Sequence, residues 1–417
     1  MCVPGSRGHA DGMSTLTRTP RRRPTSAGRD DPAGTLLSPA FLALGAADLA
    51  YFLAAGVAIY ALPLYVTGPV GATEAGAGLA FGAFAATAIV LRPLVGRWCD
   101  TRGRRPLLVA GALLAAVALL ATPLATTLAA VVVLRLLLGV AEALFFVASL
   151  AALADLAPPD RMGEAISYNS LGLYLGLALG APLGEVLVRT VGFSGAWTGA
   201  GVLAAGAAAL AGSIGETLAP RQVHARPSRL IHRPAIPVSL GFLASVVAMG
   251  GFLAFAPLYA GTVGPMSTSL PVFVYGTVVV CLRVGLARVQ DRVSPLPVGA
   301  GALLAMATGL VVMALLATPA GLVAGALLLG AGVALSTPAF FAAVFATADP
   351  SSRGAAAGTA SLALDAGIGG GPVLLGMVAR SGGLQAAFVV AAAVALAGSA
   401  WTLRLVRDGR TGVDDAA

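Results

Sequence analysis

Read for apolar and polar positions alone, the chain is a series of long apolar stretches separated by short polar or basic breaks. Twelve stretches are long enough to cross a bilayer, which takes about 20 residues. In the first half they cover 40–63, 76–96, 107–124, 128–153, 164–188 and 196–217. In the second they cover 237–260, 270–289, 297–317, 321–346, 355–378 and 384–405. The runs are too long and unbroken for the short alternating segments of a β-barrel. The pattern predicts an all-α integral membrane protein of twelve transmembrane helices. Residues 1–38 read as a disordered basic tail, 39–218 as a first six-helix bundle and 219–235 as a linker. A second bundle follows over 236–405, and 406–417 form a C-terminal tail.

The second half repeats the first at a constant offset. Arg92 and Arg283 stand 191 residues apart, as do Arg97 and Arg288, and Asp100 and Asp291. The same offset relates Gly139 to Gly330, Ser170 to Ser361, Gly176 to Gly367, Gly180 to Gly371 and Gly192 to Gly383. Two like halves in a membrane protein point to a transporter with its site between them.

Composition narrows the class. Hydrophobic residues make up 58% and charged residues 11%, against roughly 25% charged in soluble domains. The net charge of +8 comes entirely from Arg, because the chain has no Lys. A phosphate-binding loop needs its Lys, so the chain is not its own ATPase. Excluding Arg92, Arg135 and Arg283, placing both termini in the cytoplasm puts 21 Arg in inside segments and only Arg189 and Arg380 outside. That is a strong positive-inside bias, and it places the protein in the cytoplasmic membrane, by composition that of a GC-rich bacterium. Cys2, Cys99 and Cys281 are too scattered for a thiolate metal site or a disulfide framework. His9, His224 and His232 lie in the tail and the linker, which excludes an intramembrane His relay. No metal, cofactor or nucleic-acid partner is expected, and a membrane enzyme would need a catalytic cluster that the sequence lacks.

Ionisable residues at membrane depth are costly and are functional candidates. Asp48 lies in the first helix, Glu142 in the fourth and Asp365 in the eleventh. Arg135 lies two turns from Glu142 on a similar face, where it could tune that carboxyl. These four are the candidates for proton coupling. Asp365 occupies the repeat position of Tyr174, so both are expected to line a cavity. Arg92 and Arg283 read as snorkelling anchors, and Glu185 and Glu216 as interfacial.

The run from Leu91 to Arg105 places a charge cluster between helices 2 and 3. Gly96 allows close helix approach, Asp100 can meet the positive end of a neighbouring helix, and Arg104 and Arg105 can pair with an acid such as Asp155. Together with Gly103 these residues form a candidate conformational latch. Gly139, Gly172, Gly176, Gly180 and Pro182 are expected to mediate helix packing.

Gly96, Asp100, Gly103, Arg104 and Arg105 resemble the helix 2–3 signature of the major facilitator superfamily, with Thr101 where an Arg is usual. Arg135 and Gly139 resemble its helix 4 signature. Gly172, Gly176, Gly180, Pro182 and Gly184 resemble the helix 5 Gly-Pro signature of efflux antiporters, with Ala181 separating Gly180 from Pro182. The resemblance covers roughly residues 40–405. It implies two pseudo-symmetric six-helix bundles, alternating access, a latch role for Asp100 and Arg104, and a monomer carrying a small molecule against protons. Export of small organic compounds is the leading expectation. Import or uniport of a metabolite by the same fold is the alternative.

Overall fold

The computed structural model describes residues 38–157, 162–218, 231–290, 293–348 and 353–408. These residues form ten α-helices. They are α1 (Pro39–Thr67), α2 (Glu74–Arg102), α3 (Arg104–Ala121), α4 (Leu128–Leu156) and α5 (Met162–Ser213). In the second half they are α6 (Ile236–Ala260), α7 (Leu270–Gln290), α8 (Pro295–Leu315), α9 (Pro319–Ala346) and α10 (Arg353–Arg407). Nine of the described helices are long and apolar enough to cross a membrane, and α7 contributes a shorter apolar stretch, Leu270–Leu286. Most of the 1–38 tail, most of the linker and the end of the C-terminal tail lie outside the described residues.

The helices start where local chemistry satisfies their first N–H groups. Ser38 accepts from the Phe41 N–H at 3.2 Å, and Thr73 from the Gly76 N–H at 3.4 Å. Thr127 and Thr318, 191 residues apart, cap α4 and α9 in the same way, accepting from Ala130 and Gly321 at 3.3 and 3.1 Å. Such caps supply a partner that hydrocarbon cannot.

The sequence places loops near 189–195 and 379–383, yet α5 and α10 run through both, over 52 and 55 residues. One residue breaks each helix. Gly192 has φ 79° and ψ −178°, and Gly383 has φ 79° and ψ 171°. These repeat-related glycines share a conformation that is essentially closed to other residues. A single dihedral thus replaces an expected loop.

Glycines elsewhere set helix spacing. A Cβ at Gly176 would come within 2.7 Å of the Phe52 backbone, and one at Gly180 within 2.6 Å of Gly56 Cα. Their counterparts Gly367 and Gly371 sit against Val246 and Val247 of α6. Gly139 abuts the carbonyl of Phe84, and Gly330 the carbonyl of Tyr275, again 191 residues on. Pro182 lies inside α5 near Gly180. Gly172 leaves ordinary room, 3.7 Å from the Asp48 Cβ. The expectation at Gly96 does not carry over, because a Cβ there would meet nothing within 4 Å.

Gly192→Ala and Gly383→Ala should each cost roughly 1–3 kcal/mol of stability. No atom lies within 4 Å of a Cβ at either position, so the cost would be purely conformational. Gly206→Ala, in open space with ordinary helical geometry, is the control and should be neutral or mildly stabilising. Thermal unfolding in detergent measures all three, and equal melting temperatures would contradict the Gly-only backbone.

Candidate functional site

A cavity of about 500 Å³ is lined by residues of every described α-helix except α8. Its walls are mainly aliphatic and aromatic, and its charges come from a few side chains. Arg92 of α2 is the centre of these. Its Nη2 lies 3.3 Å from Glu142 Oε1 on α4 and 3.0 Å from Asp365 Oδ1 on α10. The guanidinium also sits over the Phe146 ring, 5.1 Å from its centroid. Arg92 is therefore not a snorkelling anchor. It bridges an acid of its own half and an acid of the other.

This corrects the expected pairing of Glu142 with Arg135. Arg135 donates instead to the carbonyl oxygens of Ala80 at 3.0 Å and Phe81 at 3.3 Å, and lies over the Phe84 ring. Carbonyls on the adjoining α2 satisfy this buried guanidinium without a carboxylate.

A second contact crosses between the halves. Arg283 of α7 donates to the Tyr174 hydroxyl on α5 at 2.9 Å and stacks 4.2 Å from that ring. Arg283 is the repeat counterpart of Arg92, and Tyr174 that of Asp365. The two contacts thus occupy equivalent places, but only the first is an ion pair.

Asp48 stands apart from this bridge. It is 1% exposed and accepts from the Ser149 hydroxyl at 2.8 Å and from the Asn169 side-chain amide. Neither partner was marked as a candidate by the sequence reading. Polar residues facing an intramembrane acid on neighbouring helices are the signal that could have found them.

The α2–α3 turn forms a separate polar cluster. Arg104 pairs with Asp155 at 3.0 Å and donates to the Cys99 carbonyl at 2.6 Å. Arg105 donates to the Gly212 carbonyl at 2.6 Å rather than to an acid. Gly103, at φ 96°, lets the chain turn directly from α2 into α3. Glu216, read as interfacial, caps α3 by accepting from the Arg104 and Arg105 N–H groups at 2.8 and 3.3 Å. Partial burial pushes its carboxyl up, but the N–H groups of Leu218, Arg104, Arg105 and Thr217 outweigh this and hold it below the ordinary carboxylate value. These partners all belong to the first half, so the Arg104–Asp155 pair is not itself a contact between halves. The Asp100 side chain lies outside the described residues.

The opposite end fastens the halves together. Glu185 of α5 is buried and accepts from the Ser267 hydroxyl and from the N–H groups of Thr268 at 3.3 Å and Ser269 at 3.0 Å. It thereby caps the N-terminus of α7, where negative charge is favoured. Beside it the Tyr60 and Thr268 hydroxyls meet at 2.6 Å. The repeat counterpart of Glu185 is Gly376, which packs against the first turn of α2 at Glu74 and Ala75.

A sequence model of the Major Facilitator Superfamily matches residues 44–348. An uncharacterized MFS-type transporter of Salmonella typhimurium is 28% identical over 380 residues, covering 87% of this chain and 96% of the relative. One from Burkholderia mallei is 29% identical over 364 residues, covering 84% and 88%. Among solved structures, a bacterial homolog of the human lysosomal transporter Spinster, inward-facing and occupied, has a TM-score of 0.73 at 16% identity, covering 88% of this chain and 96% of that one. A D-xylose–proton symporter has a TM-score of 0.72 at 17% identity, covering 87% and 96%.

Arg92→Gln should destabilise the protein by leaving two carboxylates without their cation. Breaking a fully buried pair costs about 3–5 kcal/mol, and the loss here should be smaller because the Arg92 and Glu142 side chains keep 16% and 19% of their surface accessible. Adding Asp365→Asn to Arg92→Gln should recover part of that loss. Thermal unfolding of the two single variants and the double variant gives the coupling, and strictly additive losses would contradict the bridge.

Proposed function

The chain belongs to the Major Facilitator Superfamily and is a multi-pass membrane transporter, and we propose that it is a proton-coupled exporter of small organic compounds. In this reading it acts as a monomer in a bacterial cytoplasmic membrane. Its helices make twelve crossings in two six-helix bundles, with the breaks at Gly192 and Gly383 marking the turns between crossings. The Arg-rich α2–α3 turn and both termini face the cytoplasm, in keeping with the Arg asymmetry. The Glu185 contacts then lie on the outer side and must part to release cargo outward.

The observation that carries the reading is Arg92 held between Glu142 and Asp365. An acid at membrane depth must be neutralised by a proton or by a partner. A proton on either acid removes its hold on Arg92 and weakens one arm of the bridge. Exchange between these two ways of neutralising charge links protonation to the relative position of the halves. Asp48, with its hydroxyl and amide partners, is a second proton site in the first half. Asp100 and Arg104 bias the cycle as latch residues on the cytoplasmic side. Export rather than import is favoured by the Gly172, Gly176, Gly180 and Pro182 pattern of α5, where Gly176 and Gly180 bring α1 into backbone contact.

Inverted vesicles holding an imposed pH gradient test this. A panel of neutral, anionic and cationic aromatic compounds should include one that dissipates the gradient through the wild-type protein. Glu142→Gln should abolish that dissipation while downhill exchange of the same labelled compound persists, because Gln keeps the shape but cannot titrate. Proton-driven movement at the wild-type rate in Glu142→Gln would make Glu142 structural.

A further inference from the structure

Two of the three guanidinium groups lining the cavity are committed within the protein. Arg92 serves Glu142 and Asp365, and Arg135 serves the carbonyls of α2. The third, Arg283, meets no carboxylate among the described residues. Its Nη2 reaches only the Tyr174 hydroxyl, and its Nε, like that of Arg92, is buried with no acceptor, so what sets Arg283 apart is the missing carboxylate. Tyr275 lies eight residues earlier on α7, two turns away on a similar face, and its hydroxyl is also buried without a partner. Both line the cavity. Buried donors of a native protein are nearly always paired, and leaving one unpaired is costly. At the repeat-related place the protein supplies Asp365, whereas beside Arg283 it supplies only a phenol. The α7 wall therefore carries a positive charge and a free hydroxyl, and lacks the matching acceptor.

We propose that the cargo supplies that acceptor, and that the cargo is an amphipathic organic monoanion. Its carboxylate lies against Arg283 and Tyr275, and its apolar body lies along Phe52, Phe146, Met249 and Ile368. The proposal rests on the transporter reading above. A single guanidinium matches a planar carboxylate in a two-bond fork. A phosphate dianion would call for a second free cation, and Arg92 and Arg135 are already engaged. The volume of about 500 Å³ falls within the range of sites for drug-sized molecules. The aromatic and aliphatic walls exclude a strongly hydrated cargo.

The test uses three probes with one ring system and different charge: 1-naphthoate, 1-naphthylmethanol and 1-naphthylmethylammonium. Each is titrated against the purified full chain in nanodiscs. The carboxylate should bind at least about tenfold more tightly than the alcohol, as a charge-assisted hydrogen bond implies, and the ammonium most weakly. Arg283→Gln should bring naphthoate to the level of the alcohol and leave alcohol binding within about twofold of wild type. Tyr275→Phe, which removes one hydroxyl and keeps the ring, should weaken naphthoate alone by several-fold, and it carries the test if Arg283→Gln does not fold. Preference for the alcohol or the ammonium, equal binding of all three, no naphthoate binding by wild type, or unchanged naphthoate binding in the folded variants would overturn the proposal. Exchange of the labelled probes in proteoliposomes is scored separately. A protein that binds naphthoate but moves no probe keeps the anion site and loses the transporter reading.

Discussion

In a medium without water, an ionised side chain persists only if something nearby answers its charge, and in this protein that requirement converges on Arg92. Its guanidinium is answered by Glu142 from its own half and by Asp365 from the other. The rest of the site is arranged around that fact. Arg135 is free of the acids because α2 offers it two carbonyls. Asp48 meets no cation among the described residues, and Ser149 and Asn169 donate to it. These charged groups each have a local answer, and among the described residues the Arg92 arrangement is the one in the cavity that joins the halves through opposite charges. On the proposed proton-coupled reading, a change in protonation of Glu142 or Asp365 acts on the contact between halves, whereas a change at Asp48 acts within the first half.

The repeat gives this arrangement a counterpart, and the difference between the two is informative. Arg92–Asp365 and Arg283–Tyr174 are the same contact viewed from opposite halves. One is an ion pair and the other a cation over a phenol. The asymmetry is reversed at the far end of the interface. Glu185 caps the first turn of α7, while its counterpart Gly376 only lets α10 pack close to α2. Duplication supplies the scaffold, including the matched breaks at Gly192 and Gly383. Divergence at a handful of positions then puts an ion pair on the α2–α10 side at the cavity and a carboxylate cap on the α5–α7 side at the far end.

Much of the scaffold was legible in the sequence, because membrane spans leave a strong one-dimensional trace and a constant 191-residue offset survives divergence. The membrane class, the family resemblance and the cavity positions of Asp365 and Tyr174 could all be read from it. The partners of the charges could not. Helical spacing places Arg135 and Glu142 on similar faces, but it cannot say that α2 presents carbonyls closer to Arg135 than Glu142 lies. Arg92 was read as an anchor because its distance from the helix end permits snorkelling, and the alternative depended on α10, distant in sequence. Glu185 and Glu216 sit near helix ends, where an interfacial reading suffices until the neighbouring helix N-termini are known. The loops expected around Gly192 and Gly383 were lost for a different reason. One Gly-only dihedral kinks each helix where a loop was expected.

The central claim is that Arg92, held by acids from both halves, ties protonation to the relative position of those halves. The most direct measurement is the distance between spin labels at Leu94 and Val284, two exposed positions on α2 and α7, recorded across a pH series. Lowering the pH should shift the wild-type distance distribution. The double variant Glu142→Gln, Asp365→Asn should already sit at the low-pH distribution and stay there at every pH. Superimposable distributions for wild type and double variant throughout the series would contradict the account.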